Sequence, residues 1–214
     1  MAGLEILNLD CFTTSPDREK WLNKARGYSQ SNDWGAFNGG ILNPQREHLR
    51  IGQNYYRFVP RAKTPEQTER EYKAGGSWWI DAETLKHIYG RFRITGPNSL
   101  VPHSSGPASS TFREWLALTY EGNMIEEFVV AQLQVRLDCY SGFGRIMQGR
   151  DPLDTRAFGY APHLSNLFTI KQLYIPELSK HLKLAFPAYE ILQFSQIDQY
   201  MRDMISGAKL ARKL

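Results

Sequence analysis

The stretch that decides the fold class runs from residue 129 to residue 139, Val-Val-Ala-Gln-Leu-Gln-Val-Arg-Leu-Asp-Cys. From Ala131 to Cys139 every second side chain is apolar and each one between is polar. Successive side chains of a β-strand point to opposite faces, so this period of two predicts one half-buried strand from Val129 to Cys139. A strand with one apolar face needs neighbouring strands, and the chain is therefore expected to contain a β-sheet.

Shorter segments around this strand also carry strand and helix signals. Aromatic and β-branched residues predict further strands at 54–59, 77–80, 168–175 and 189–194. Capping residues predict helices that begin near Ser15, Thr64, Asp81, Thr111 and Ser195. Glycines predict that the first four of these helices end near Gly27, Gly75, Gly90 and Gly122.

Three glycine-, proline- and serine-rich stretches, 28–44, 96–110 and 141–162, are predicted to be loops. No glycine-rich phosphate loop follows a predicted strand, which argues against a doubly wound parallel sheet. The order of elements instead favours an α+β fold with a central, largely antiparallel sheet and flanking helices.

The length of 214 residues predicts a single domain spanning 1–214. Within it we expect an N-terminal helical segment over about 1–50 and a C-terminal amphipathic helix over about 195–214, both packed on the sheet. No apolar run approaches the roughly 20 residues of a membrane-spanning helix, and the first ten residues lack a secretory signal pattern. The expected site of action is cytoplasmic, with no membrane partner, and export by a route without a signal peptide stays open.

The cysteines and histidines do not indicate a metal site. Cys11 and Cys139 are too few for a disulfide framework and lack zinc-ligand spacing. The five histidines are scattered, with no pair at helical ligand spacing: His48, His87, His103, His163 and His181. The net charge of +4 is compatible with an anionic ligand, either a dinucleotide or a nucleic acid.

Three short segments carry candidate chemistry. Arg57 lies inside an aromatic strand sequence, where a guanidinium needs an anionic partner. Gly75-Gly76-Ser77-Trp78-Trp79 combines two glycines, which allow close approach to the backbone, with two indoles that offer stacking surfaces. Lys171-Gln172-Leu173-Tyr174-Ile175-Pro176-Glu177 ends a predicted strand with polar groups on either side.

The order of these segments resembles that of enzymes with the ADP-ribosyltransferase fold, including bacterial NAD-glycohydrolase toxins. Those enzymes carry an arginine on an early strand, a small hydroxyl-bearing or aromatic motif on a second strand, and a glutamate or glutamine on a late one. The matching segments here are Tyr56-Arg57-Phe58, Ser77-Trp78-Trp79 and Gln172-Leu173-Tyr174.

The resemblance implies a role for each matching residue and NAD as the substrate, with no metal. Arg57, with Tyr56 beside it, would hold the NAD pyrophosphate; Ser77 and Trp78 would shape the nicotinamide pocket; Gln172 or Glu177 would act at the ribose. The chain lacks the Ser-Thr-Ser triplet and the Glu-x-Glu pair of the family, which favours NAD hydrolysis over transfer of ADP-ribose to a protein side chain. Transfer to a protein or nucleic-acid acceptor stays open. An enzyme of this kind, a toxin or effector, implies a neutralising immunity or antitoxin protein as a partner.

Two other classes of function stay open. A nucleic-acid binder would stack bases on aromatic residues and hold phosphates with basic ones, and a ribonuclease would add His48 or His103 as acid or base. The residues available for binding are Tyr55, Tyr56, Trp78, Arg91, Arg93 and the basic C-terminal residues. A non-catalytic interaction domain would dock through its final amphipathic helix, so deleting residues 195–214 would abolish partner binding without unfolding the rest.

Overall fold

The structure is a computed structural model that describes residues 5–28, 39–60, 64–95, 125–144, 147–151, 154–160 and 170–207. Within these ranges the α-helices are α1 (Asp10–Thr13), α2 (Asp17–Ala25), α3 (Arg70–Gly75), α4 (Ala82–Thr95), α5 (Leu178–Ala185) and α6 (Ile197–Ser206). The strands are β1 (Ile41–His48), β2 (Asn54–Pro60), β3 (Trp78–Asp81), β4 (Ile125–Gln132), β5 (Asp138–Gly144), β6 (Met147–Asp151), β7 (Asp154–Tyr160), β8 (Lys171–Tyr174) and β9 (Tyr189–Gln193).

Seven of these strands form one sheet in the order β1-β5-β8-β3-β2-β4-β9. Every neighbouring pair in it runs antiparallel. The strands β6 and β7 form a separate antiparallel pair. The prediction of an α+β fold with a largely antiparallel sheet and accompanying helices is therefore confirmed.

The prediction of one strand from Val129 to Cys139 is wrong. The strand β4 ends at Gln132 and β5 begins at Asp138, and the two are not neighbours in the sheet. Between them the backbone bonds to other parts of the chain, as when Leu133 N–H donates to the Gln53 carbonyl at 3.0 Å. Leu133 and Leu137 are nonetheless buried, because alternation reports which side chains face the core and not which strand lies beside them.

Two regions predicted as loops or helix contain strands. Residues 41–48 form β1 at one edge of the sheet, so the N-terminal helices end at Ala25 and do not reach residue 50. Proline is tolerated on an edge strand, and β1 holds Pro44 where its register with β5 shifts. In the predicted loop 141–162, β5 continues to Gly144 and is followed by the β6–β7 pair.

The helix predictions hold in type and differ in their ends. Asp81 accepts the Thr84 N–H at 2.8 Å and caps α4 as expected, but that helix continues past Gly90 to Thr95. The helix predicted from Thr64 is a 3-10 turn, Pro65–Thr68, followed by α3. The helix predicted from Thr111 lies outside the described residues.

The strand β3 joins the two halves of the sheet, because its two ends pair with different strands. Its first two residues, Trp78 and Trp79, pair with β8, whereas Ile80 and Asp81 pair with β2. On β2 the pairing with β3 ends at Tyr56, one residue before Arg57. The sheet is therefore incomplete between β2 and β3 at the level of Arg57, and this gap positions the candidate site.

Three buried clusters hold the elements together. One lies between β2, β4, α4 and α6 and includes Ile197, Tyr200 and Met201. The second packs α3 and α5 against the other side of the sheet, and the third joins the N-terminal helices to β1, β5 and β8. In α6, which is the described part of the C-terminal helix, Ile197, Tyr200 and Met201 are thus part of the core.

Candidate functional site

Arg57 is held in a fixed position by main-chain carbonyl groups. It lies on β2, is partly buried, and its Nε donates to the Lys73 carbonyl at 2.9 Å while Nη1 donates to the Trp78 carbonyl at 3.2 Å. A guanidinium has five N–H groups, and these two bonds use two of them. The other three have no hydrogen-bond partner within the part of the chain that the structure describes.

Within the described ranges, Arg57 has main-chain partners and no acidic one. Among the described residues no carboxylate forms an ion pair with it. Glu127 on the adjacent strand β4 instead pairs with Lys73, at 2.5 Å. Burial lowers the pKa of Arg57 to about 10, against a smaller opposing effect of Tyr72. Removing a charge from water without pairing it is costly, so Arg57 is a cation in need of an anion.

Gly76 provides the surface against which the guanidinium packs. A Cβ atom built on Gly76 would lie less than 3.0 Å from Cζ, Nη1 and Nη2 of Arg57. The two neighbouring glycines of this segment were expected to allow the approach of a ligand. In the structure the group that approaches Gly76 is the side chain of Arg57 itself.

A pocket opens beside this arginine at the gap in the sheet. It is lined by Tyr56, Arg57, Phe58, Trp78, Trp79, Ile80 and Gln172, and its volume is about 60 Å³. One water molecule needs about 10–15 Å³ by this measure, so the pocket admits a small group. Four of the predicted site residues, from three segments of the sequence, therefore line one pocket: Tyr56, Arg57, Trp78 and Gln172.

The two tryptophans have different roles, as the alternation of a strand requires. Trp79 is 2% exposed and donates from its indole nitrogen to the Gly76 carbonyl at 2.6 Å. Trp78 is partly buried and packs edge-on against Tyr174, with ring centroids 5.0 Å apart. Trp78 therefore has more surface available to a ligand than Trp79.

Gln172 is a buried polar residue at the opposite wall of the pocket. It is 6% exposed and its strand pairs it with Gly142 on β5. A Cβ atom on Gly144 would lie 2.9 Å from Gln172 Nε2, so the side-chain amide passes closely over that glycine. Glycine at position 144 thus leaves room for the amide of Gln172.

Two of the predicted residues contribute less directly. Tyr56 is 1% exposed, and its hydroxyl accepts from Tyr200 at 3.2 Å and donates to Met204 Sδ at 3.4 Å, so that group belongs to the core. Ser77 does not line the pocket; its hydroxyl bonds to that of Tyr174, and its carbonyl accepts the Ile175 N–H at 2.8 Å.

Glu177 lies away from the pocket, at the start of α5. It forms an ion pair with Lys180, and that hydrogen bond is the main reason why its pKa lies below the usual range. Its backbone has a φ of 55°, in the left-handed region. The structure therefore brings together Arg57, Trp78 and Gln172, and leaves Glu177 outside the residues that line their pocket.

Two of the aromatic residues of the nucleic-acid alternative are buried in the core. Tyr55 and Tyr56 are 4% and 1% exposed, so neither ring is available for base stacking. His48 is exposed and its Nδ1 lies 2.5 Å from Asp138 Oδ1, a contact across the β1–β5 pair. The side chains of Arg91 and Arg93 are not described, and His103 and the basic residues beyond 207 lie outside the described ranges.

A second, larger cavity was not predicted from the sequence. It has a volume of about 300 Å³, and it contains Glu47, Tyr55, Asp81 and Lys171 among its lining residues. Lys171 Nζ lies 2.7 Å from Glu47 Oε1 and 3.8 Å from Asp81 Oδ2. Burial alone would raise the pKa of Glu47, but hydrogen bonds from Lys171 and Ser141 lower it below its usual range. The charges in this cavity largely satisfy one another.

Comparison with known proteins adds no family. A scan against protein-family models, a search of curated proteins and a search of solved structures each found no match. Both cysteines are buried and carry free thiols. Among the described residues, no group of three or more His, Cys, Asp or Glu is arranged to hold a metal ion. No helix in the same ranges is long and apolar enough to cross a bilayer.

Proposed function

We propose that this protein binds NAD and cleaves the bond between nicotinamide and ribose. The observation that supports this most directly is the pocket that Arg57, Trp78 and Gln172 share, with a partly buried guanidinium that lacks a carboxylate partner among the described residues. Three sequence segments that match the order of ADP-ribosyltransferase-like enzymes contribute to that one pocket. A protein with an ADP-ribosyltransferase-like fold is the class that this combination favours.

Arg57 is suited to the diphosphate of NAD. Its remaining N–H groups are oriented by the bonds to Lys73 and Trp78, so little side-chain entropy is lost when an anion binds. Guanidinium and phosphate form parallel, charge-assisted hydrogen bonds, which are stronger than neutral ones. An anion would also offset the cost of burying the charge. The pocket is small, so the diphosphate would bind at its mouth, and the adenosine part of the dinucleotide would extend beyond it.

Trp78 and Gln172 supply groups for the reacting end of NAD. The indole of Trp78 offers a face on which the cationic nicotinamide ring would stack. The bond between ribose C1′ and the nicotinamide nitrogen then breaks, its electron pair goes to the ring nitrogen, and an oxocarbenium-like ribose remains. The amide oxygen of Gln172 would stabilise that developing positive charge, an interaction stronger in the transition state than in bound NAD.

Hydrolysis is the outcome that the lining residues favour over transfer to a macromolecule. Among the described residues, the pocket is lined by no aspartate or glutamate that would deprotonate an acceptor side chain. Water is abundant and needs less activation against an oxocarbenium-like carbon. Attack by water gives ADP-ribose, and the proton that water loses passes to solvent. Such an enzyme acts where NAD is present, in the cytoplasm, and a neutralising protein partner would protect the cell that makes it.

Product analysis after incubation with NAD tests the proposal. The purified protein is incubated with NAD, with and without cell lysate, and the products are separated by chromatography. Nicotinamide together with free ADP-ribose in the absence of lysate is the expected result. Nicotinamide release that requires lysate would instead indicate ADP-ribose transfer to a protein or nucleic-acid acceptor. Intact NAD under both conditions would exclude the proposed reaction, and salt-dependent nucleic-acid binding would be measured next.

A further inference from the structure

Gly76 occupies a position where its backbone does not require glycine. Its φ of -69° and ψ of 149° lie in the extended region that any residue adopts. Glycine is often needed where φ is positive, and that reason does not apply here. Another property of glycine, the absence of a side chain, must explain its presence beside the pocket.

The space that a side chain would fill at position 76 is filled by Arg57. A Cβ atom there would come closer than 3.0 Å to three atoms of the guanidinium, a separation that real Cβ atoms essentially never show. The neighbouring Gly75 differs. A Cβ atom on Gly75 would lie 3.4 Å from Ser179 Cβ and 4.0 Å from Leu182 Cδ2, which is ordinary van der Waals contact.

We propose that Gly76 is a positioning residue for Arg57: the missing side chain lets the guanidinium lie against the main chain, within reach of the Lys73 and Trp78 carbonyls. In this orientation Arg57 lines the pocket and keeps N–H groups that its two carbonyl partners do not use, so Gly76 determines how tightly the site binds an anion. That the anion is the diphosphate of NAD rests on the proposed function. The orientation of Arg57 does not, and it is measured separately.

The substitution Gly76→Ala is expected to move Arg57 without unfolding the protein. Alanine adopts the backbone angles of Gly76 without strain. The atoms that it would displace are at the far end of a flexible side chain, which moves at low cost compared with a main-chain segment. The guanidinium would leave its two carbonyl partners and lose its fixed orientation.

The first measurement is a nitrogen-15 NMR spectrum of the arginine side chains at neutral pH. In the wild-type protein the Arg57 Nε–H is hydrogen-bonded to the Lys73 carbonyl, so its signal should be shifted and its exchange with water slow. Arg57→Lys removes this signal and assigns it. We expect Gly76→Ala to lose the protected signal and Gly75→Ala to keep it. A protected Arg57 signal in Gly76→Ala overturns the proposal.

The second measurement is anion binding by calorimetric titration with inorganic pyrophosphate, followed by NAD cleavage. Gly76→Ala should weaken pyrophosphate binding about tenfold or more and lower kcat/KM for NAD about 100-fold, since small misplacements of catalytic groups have effects of that size. Gly75→Ala should stay within about twofold of wild type in both, and thermal melts should show all variants folded. Wild-type affinity in Gly76→Ala would overturn the role in anion binding.

The two measurements separate failure of this inference from failure of the proposed function. If the wild-type protein binds pyrophosphate through Arg57, Gly76→Ala weakens that binding and NAD stays intact, NAD cleavage fails and the role of Gly76 stands. If the wild-type protein cleaves NAD and Gly76→Ala cleaves it equally well, the role of Gly76 fails and NAD cleavage stands.

Discussion

The pocket at Arg57 and the cavity at Lys171 are lined by adjacent residues of β8, yet they differ in how their charges are satisfied. The cavity is the larger, at about 300 Å³ against about 60 Å³. Its ammonium group lies beside two carboxylates, Glu47 and Asp81. The smaller pocket holds a guanidinium bonded to carbonyl groups, with no acidic partner among the described residues.

This difference indicates that a charged side chain without an oppositely charged partner among the described residues identifies the candidate site better than the volume of the pocket does. Paired charges are common in structural networks and stabilise neighbouring strands without any ligand. A buried cation without an anion is destabilising unless something binds it. In this protein the lysine network joins β1, β3 and β8, whereas the arginine is retained at a cost that ligand binding would explain.

The largest effect is expected from removing the unpaired charge. Arg57→Ala should lower nicotinamide release about 100- to 1,000-fold, because the anchor of the diphosphate is lost. The melting temperature should stay within a few degrees, because the cost of burying the cation disappears together with its hydrogen bonds. Chromatography and a thermal melt measure the two quantities. Loss of the folded state would show that Arg57 is structural and would remove the contrast with Lys171.

The next effect separates Gln172 from Glu177, the two candidates for action at the ribose. Gln172→Ala should lower kcat about tenfold to 100-fold, because a polar contact to the developing charge is lost. Glu177→Gln should leave kcat within about twofold, because Glu177 lies outside the pocket and pairs with Lys180. Initial rates at saturating NAD distinguish them. A larger loss of kcat in Glu177→Gln than in Gln172→Ala would show that the ribose is bound near α5 and not near Gln172.

The pH dependence of anion binding should follow the charge of Arg57. Its pKa is lowered by burial to about 10, so the guanidinium is fully charged at neutral pH and loses its proton as the pH rises through that value. Pyrophosphate also loses protons of its own around and above neutrality, so the part of its affinity that differs between wild type and Arg57→Ala should be constant near neutrality and fall above about pH 10. Titrations of wild type and Arg57→Ala across this range measure it. Equal pH profiles for the two proteins would show that another group carries the dependence.

The smallest effect on activity is expected from the larger cavity. Lys171→Met removes the ammonium group beside Glu47 and Asp81 and should lower the free energy of unfolding by about 1 kcal/mol, as for a partly exposed ion pair. NAD cleavage should change less than about twofold. Denaturant unfolding and initial rates are the measurements. A large loss of turnover in a fully folded Lys171→Met variant would show that the larger cavity, and not the pocket at Arg57, is the active site.

The fold class was predictable because the alternation of apolar and polar residues continues even between β4 and β5, where the chain leaves one strand and enters another. Leu133 and Leu137 are buried as the period of two requires, although the strand between them does not exist. The strand β1 was missed because its exposure pattern lacks a period of two and Pro44 interrupts it. A register shift in that strand breaks the alternation on which such predictions depend.

Part of the candidate site was also predictable from residue type and order. An arginine in an aromatic strand requires a partner, and this physical requirement identifies Arg57 from the sequence alone. The packing of Arg57 on Gly76 was not predictable, because it depends on how the side chain turns toward β3. For Glu177 and Ser77, the resemblance implied roles at the site, but neither residue lines the pocket.

The divided pairing of β3 also has a mechanical consequence. Trp78 and Trp79 pair β3 with β8, and Ile80 and Asp81 pair it with β2, so two residue pairs on each side connect the halves of the sheet. A pulling force or a thermal fluctuation would part the halves at this seam before it separated the longer pairings, such as those of β1 with β5. The pocket lies along this junction. The backbone hydrogen bonds of β3 that hold the two halves of the sheet together would therefore also limit how far the pocket can widen.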